Sequence, residues 1–79
     1  MINRKKLIQK YALDVSVCTL ERLDQIVRLE NIENGWNLDS YISFDVVSND
    51  YCKINFGDTD KDIYFQRINH SGYFKIATQ

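Results

Sequence analysis

The spacing of apolar residues changes once along this chain, from a helical period to a strand period. Up to Gly35 the apolar residues recur every three or four positions, which is the spacing of one helix face. From Ser40 onward apolar and polar residues alternate, which is typical of strands with one buried face. The chain therefore predicts a helical part in residues 1–35 and an antiparallel sheet in residues 40–78, within one domain spanning residues 1–79.

The helical part predicts two helices with polar caps. Asn3 is placed to cap the first helix and Thr19 to cap the second, because short polar side chains accept hydrogen bonds from the free N–H groups of a first turn. The second helix is expected to end at Glu33, since Gly35 tolerates the left-handed conformation that follows many helices. Residues 15–17 are interpreted as a β-branched connector between the helices. The apolar stripes comprise Leu7, Ile8, Tyr11 and Ala12 in the first helix and Leu20, Leu23, Ile26 and Val27 in the second.

Four alternating segments make up the sheet part, separated by polar turns of three to five residues. Such short connections join antiparallel neighbours, because a parallel crossover needs a dozen residues or more. The predicted fold class is α+β, with two N-terminal helices packed on a four-stranded antiparallel β-meander. The residues expected to face the helices are Ile42, Phe44, Val46, Cys52, Ile54, Phe56, Ile63, Phe65, Phe74 and Ile76.

The same alternation places one tyrosine from every predicted strand on the sheet face that points away from the helices. The candidate partner-binding residues on this face are Tyr41, Tyr51, Lys53, Tyr64, Gln66, Tyr73 and Lys75. Aromatic rings are favoured as anchors of protein interfaces, and on a sheet they can also stack single-stranded bases. Cross-strand tyrosine pairs can also do no more than stabilise an exposed sheet. We expect a protein partner, with the other two roles as alternatives.

An acidic run lies in the turn between the second and third predicted strands. Asp58, Asp60 and Asp62 are further candidate partner-binding residues, and they repeat the D-x-D-x-D opening of a calcium loop. Ile63 stands where that loop needs a glycine, and Asn69 stands where it needs a bidentate glutamate. We therefore expect a solvated acidic turn that holds no metal.

Residues suited to catalysis or cofactor binding are sparse. Cys18 and Cys52 lack the paired spacing of a zinc site and are expected to be reduced and buried. His70 lies beside Ser71 in a predicted turn, where sequence neighbours rarely reach the geometry of a catalytic triad. Three scattered glycines do not form a phosphate-binding loop. The prediction is a protein that carries no cofactor and is not an enzyme.

Nucleic-acid binding is the alternative function. Residues 11–23 have a small alanine before a polar turn, as in a helix-turn-helix, but Arg22 and Gln25 stand where that motif packs apolar residues. The net charge is −1, with +2 in residues 1–30 and −3 in residues 31–79, whereas DNA binding normally leaves a more basic surface. A nucleic-acid-binding regulator would use the basic N-terminal helices or the tyrosine-bearing sheet face.

Composition adds expectations about origin and location. Phe, Tyr, Met, Ile, Asn and Lys, whose codons are A/T-rich, total 32 residues, whereas Gly, Ala, Arg and Pro total nine. This bias is typical of A/T-rich bacteria and their phages. The basic start of the chain is not followed by an apolar run, which favours a cytoplasmic protein with no membrane span. We interpret the chain as a small protein-binding inhibitor or regulator from a phage or mobile element, for example of the anti-defence or anti-CRISPR type.

Overall fold

Two helices and one antiparallel sheet make up the part of the chain that the computed structural model describes, which is residues 3–35, 41–57 and 61–77. The α+β class predicted from the sequence is therefore confirmed. The strands lie in the order β1-β5-β4-β3-β2. The elements are α1 (Arg4–Tyr11), β1 (Val17–Cys18), α2 (Leu20–Glu33), β2 (Ser43–Val46), β3 (Tyr51–Asn55), β4 (Ile63–Arg67) and β5 (Phe74–Ile76).

The predicted four-stranded meander is wrong by one strand. Strands β2 to β5 do follow one another as neighbours, but a fifth strand, β1, pairs with β5 and forms the other edge of the sheet. Val17 lies opposite Lys75, and Cys18 lies opposite Phe74. This segment begins at Val17, the last residue of the predicted connector, and it is too short to show alternation. It becomes a strand because β5 offers a free backbone edge beside it.

The predicted N-caps form, and the first helix ends one residue earlier than its apolar stripe suggests. Asn3 accepts hydrogen bonds from the N–H groups of Lys5 and Lys6, and Thr19 accepts one from the N–H of Arg22. Ala12, predicted on the buried side of the first helix, is instead an exposed C-cap with φ of 52°.

The left-handed cap at Ala12 turns the chain inward. Leu13 is buried directly after it, and its N–H donates to the carbonyl of Ile8 across the helix end.

Neither helix in the described residues is both long enough and apolar enough to cross a membrane.

One core lies between the helices and the inner face of the sheet. Helix α2 packs directly against β2 and β3, while α1 reaches the core through Leu7. Val46, predicted to face the helices, is 61% exposed because it stands at the end of an edge strand. Phe44 and Ile76 are only partly buried. The buried apolar residues are Leu7, Leu13, Cys18, Leu23, Ile26, Val27, Ile42, Cys52, Ile54, Ile63, Phe65 and Phe74.

A buried asparagine fastens α2 to the beginning of β2. The Asn31 side chain donates from Nδ2 to the carbonyl oxygen of Ile42 at 2.8 Å. Its Oδ1 accepts from the N–H of Ile42 at 3.0 Å. The N–H and the carbonyl of Ile42 are thereby both satisfied by a side chain instead of a neighbouring strand. The sequence pattern did not predict this contact.

A second polar contact joins the two helices. The Tyr11 hydroxyl donates to Glu30 Oε1 at 2.7 Å, and the Lys10 ammonium lies 2.6 Å from the same carboxylate oxygen. Lys10 also pairs with Glu33. Burial, together with the hydrogen bond to Glu30, raises the pKa of Tyr11 to about 12. The network links the C-terminal half of α1 to α2.

Candidate functional site

The outer face of the sheet, which points away from both helices, contains the predicted tyrosines. Tyr51 lies opposite Gln66, Gln66 lies opposite Lys75, and Lys75 lies opposite Val17. These four residues form one row across four adjacent strands. Tyr73 lies immediately before β5 and, two residues from Lys75, points to the same face. We call Val17, Tyr51, Gln66, Tyr73 and Lys75 the tyrosine patch.

The tyrosine patch is accessible and mixed in character. The residues Tyr51 and Tyr73 are 42% and 52% exposed, and Val17 is 53% exposed. Gln66 and Lys75 are also exposed. Each member has an apolar portion and four carry a polar end, so the surface can bury apolar area while offering hydrogen-bond groups. Aromatic residues are enriched at the centre of protein interfaces, and polar residues such as Gln66 and Lys75 are typical of the rim.

The neighbouring part of the outer face is a polar cluster whose side chains bind one another. Lys53 Nζ lies 3.3 Å from Asp62 Oδ2 and 5.6 Å from the centre of the Tyr64 ring. Asn55 Nδ2 donates to Asp45 Oδ2 at 3.3 Å. The hydrogen bond to Asp62 raises the pKa of Lys53. Because these groups are already partnered within the sheet, Lys53 and Tyr64 are poorer candidates for partner contact than the tyrosine patch.

The acidic turn is not the solvated feature that the sequence predicted, as far as the structure describes it. Asp62 is only 2% exposed, and its Oδ1 accepts from the N–H of Phe56 at 2.8 Å. Its carboxylate closes the end of the β3–β4 hairpin by satisfying a backbone donor and the Lys53 ammonium. Asp58 and Asp60 lie outside the described residues.

No metal site is formed by the residues that the structure describes, since none of their acidic, histidine or cysteine side chains gather in groups of three or more. The buried Asp62 carboxylate is directed at an N–H and an ammonium, which are donors and cannot coordinate a cation. A calcium ion would have to displace these donors.

Tyr41 belongs to the outer face but stands far from the tyrosine patch. The pairing of Ser43 with Asn55 places Tyr41 beside Gly57, at the opposite end of the β2–β3 hairpin. Along β2 it lies six positions from Val47, the residue whose N–H donates to Tyr51, which corresponds to ~20 Å. Tyr41 is 54% exposed, as accessible as the patch tyrosines. The four predicted tyrosines thus do not form one continuous surface.

Arg67 is a residue near the tyrosine patch whose role the sequence did not suggest. Its guanidinium donates to the carbonyl oxygens of Asn49 and Ser71, joining the β2–β3 and β4–β5 turns. It also lies 4.6 Å from the centre of the Phe74 ring, where it covers the end of the core. One feature of the sequence indicates this position: Arg67 follows Phe65 by two residues on β4, so alternation directs both side chains to the inner face.

His70 lies in the β4–β5 turn, with φ of 60° and an exposed side chain. An open depression beside it is lined by Asp50, Tyr51, Gln66, Arg67, Asn69 and His70. Arg67 is occupied by the turn carbonyls, and neither cysteine lines this depression. The described residues around His70 form a polar margin to the tyrosine patch.

Both cysteines are buried free thiols. Burial raises the pKa of Cys52 to about 12 and also raises that of Cys18. A thiol with a pKa near 12 is ~0.01% thiolate at pH 8, so it is a poor nucleophile.

We expect Cys52 to resist alkylation in the folded protein. Iodoacetamide at pH 8 should leave it unmodified under native conditions and modify it fully in urea, as measured by mass spectrometry of the intact and digested chain. Cys18→Ala removes the competing thiol and serves as the background variant. Rapid native alkylation of Cys52 would contradict its burial.

The helix-turn-helix spacing considered for residues 11–23 does not produce that motif. Strand β1 stands between Tyr11 at the end of α1 and Leu20 at the start of α2, and it is paired into the sheet. Lys10, on the basic first helix, is engaged by Glu30 and Glu33.

Comparison with known protein families, with curated proteins and with solved structures gives no match to this chain.

Proposed function

We propose that this protein is a binding module that recognises another protein through the tyrosine patch. It acts by occupying a surface of that partner protein. The observation that carries this proposal is the exposure of two tyrosine rings on the sheet face opposite to the two described helices. Both rings stand on or beside strands whose backbone is paired on two sides, because β3 and β5 are interior strands.

The geometry favours affinity at a small entropic cost. A tyrosine brings a large, flat ring and a hydroxyl with few rotatable bonds, which makes it an efficient interface anchor. The sheet holds the rings in place before the partner arrives, so little backbone ordering is needed on binding. Gln66 lies beside Tyr51 and Lys75 lies near Tyr73, and both supply polar contacts that can set the orientation of the partner.

A stoichiometric inhibitor or regulator is the role that suits such a module. The chain has 79 residues, and its buried thiols and self-paired polar cluster favour binding over catalysis. The A/T-rich codon usage implied by its composition supports an origin in a phage or mobile element of an A/T-rich bacterium. An anti-defence role belongs to this proposal.

We expect Tyr51→Ala and Tyr73→Ala each to weaken binding of the partner by about 30-fold, the loss typical of a buried aromatic anchor. The partner is first captured from host lysate treated with nuclease, and each variant is then titrated against the purified partner by calorimetry. Tyr41→Ala is the matched control, because it removes an equally exposed tyrosine ~20 Å away and should leave affinity unchanged.

Circular dichroism must show that all three variants remain folded. Full affinity in both patch variants would refute the proposed interface. Capture that is abolished by nuclease, with affinity falling steeply between low and moderate salt, would instead support the nucleic-acid alternative.

A further inference from the structure

The free edge of β2 is a second surface with a defined chemistry. In the β2–β3 hairpin the N–H of Val47 donates to the carbonyl of Tyr51. Backbone groups in an antiparallel pair point alternately toward and away from the neighbour, so those of Phe44 and Val46 point away from β3. Ile42 has the same outward phase, and Asn31 occupies both of its polar groups.

No strand among the described residues pairs with this edge, because β2 is the last strand in the sheet order. Proteins usually protect such edges with prolines, bulges or very short strands. The opposite edge strand, β1, has only two residues, but β2 has four, with regular pairing to β3. Val46 and Val47 are exposed at its end, so the edge offers both hydrogen-bond groups and apolar contact.

Two copies of this chain could pair their β2 edges antiparallel, with Phe44 of one copy opposite Val46 of the other. A second copy fits the edge poorly in this register. That arrangement satisfies the outward groups of both residues, but it sets the two Asp45 carboxylates directly opposite each other on the outer face. Like charges in this position destabilise a strand pair.

The other two-fold registers lose backbone hydrogen bonds. Pairing Phe44 with its own copy sets Val46 against Ile42, whose polar groups are bonded to Asn31. Pairing Val46 with its own copy sets Phe44 against Ser48, whose N–H is already used within the turn. The edge therefore suits a different chain.

We propose that the β2 edge binds an extended segment of a partner protein that carries a basic residue flanked by β-branched residues. The flanking residues would exchange backbone hydrogen bonds with Phe44 and Val46, as in other cases of strand addition. The basic residue would lie opposite Asp45 at a position where strands do not exchange hydrogen bonds and Cα atoms are ~4.5 Å apart.

Asp45 is suited to this role. Lys53, the cation opposite it on β3, makes its ion pair with Asp62 at 3.3 Å and interacts with Asp45 only through a weaker charge attraction. Among the described residues the hydrogen-bond donor to Asp45 is the Asn55 amide, 3.3 Å from Oδ2, and a carboxylate accepts several hydrogen bonds. This inference concerns an edge distinct from the tyrosine patch and does not depend on the proposed function of that patch.

The test uses blocked pentapeptides with threonine at both ends, valine at the second and fourth positions, and lysine or glutamate at the centre. Each is titrated into the full-length 15N-labelled protein and followed by NMR. The Phe44 and Val46 amides should show the largest shifts, and the lysine peptide should bind about fivefold more tightly than the glutamate peptide. Methylating the valine nitrogens, which removes the backbone donors, should abolish binding.

Two variants separate the charge from the backbone contact. Asp45→Lys should reverse the preference between the peptides, and Asp45→Asn, which keeps the shape of the side chain, should remove it. Tyr51→Ala should leave peptide binding unchanged, so a failed patch and a failed edge give different results.

Three titration results would each overturn the proposal. These are no shift with either peptide at millimolar concentration, equal affinity for the two peptides, and shifts centred on the tyrosine patch. A concentration-dependent dimer that protects the Phe44 and Val46 amides would also overturn it, by showing that the edge is occupied by a second copy.

Discussion

Phe65→Ala is expected to lower the free energy of unfolding by about 3–5 kcal/mol, most of the stability available to a domain of this size. Phe65 is fully buried on β4, between Cys52 on β3 and Ile76 on β5. Removing its ring leaves a cavity at the centre of the sheet, where paired strands on both sides prevent collapse. Urea unfolding followed by circular dichroism measures the loss.

Gln66→Ala is the matched control for Phe65→Ala. Gln66 is the next residue of the same strand but points to the exposed outer face, so its truncation should change stability by no more than about 0.5 kcal/mol. Equal losses in the two variants would show that the inner face of the sheet has been assigned wrongly. A smaller loss is expected for Phe44→Ala, because Phe44 is only partly buried.

The second large effect is expected from Asn31→Ala, at about 2–4 kcal/mol. The substitution leaves both the N–H and the C=O of Ile42 buried without partners, and each orphaned group costs about 1–3 kcal/mol. Hydrogen exchange adds a local measurement, since the Ile42 amide should lose its protection more than amides of β4.

Asn34→Ala provides the comparison on the same helix. Asn34 Nδ2 donates to the Glu30 carbonyl at the exposed end of α2, where water can replace the contact, so about 1 kcal/mol or less is expected. If Asn31→Ala were no more destabilising than Asn34→Ala, Asn31 would not be the attachment between α2 and β2.

The features that were predictable from sequence are those set by neighbouring residues. Asn3 and Thr19 cap their helices through contacts with residues two or three positions away. Strand alternation assigned Ile54 and Phe65 to the inner face and Tyr51 to the outer face, because side chains of a strand point alternately to its two sides. These are local rules, and they hold without knowledge of the rest of the fold.

The candidate surface was predicted only in part, because it depends on which strands are neighbours as well as on local rules. Alternation places tyrosines on one face, but it does not state which of them are close together. The register of β2 on β3 separates Tyr41 from Tyr51. Lys53 lies over the Tyr64 ring and is paired with Asp62, so Tyr64 belongs to the polar cluster and not to the tyrosine patch. The surface that remains includes Val17, from a strand the sequence did not predict.

By itself the sequence determined the α+β class, the N-cap of each helix and the inward or outward direction of most strand residues, because these depend on spacing within about ten positions. Tertiary structure alone decided that residues 17–18 pair with β5, that Asp62 is buried, and that Asn31 bonds Ile42. Each of these features joins groups that are distant in sequence or replaces water around a polar atom. Their contribution to stability exists only once the chain has folded. The tyrosine patch depends on both levels, since alternation orients its side chains and strand order brings them together.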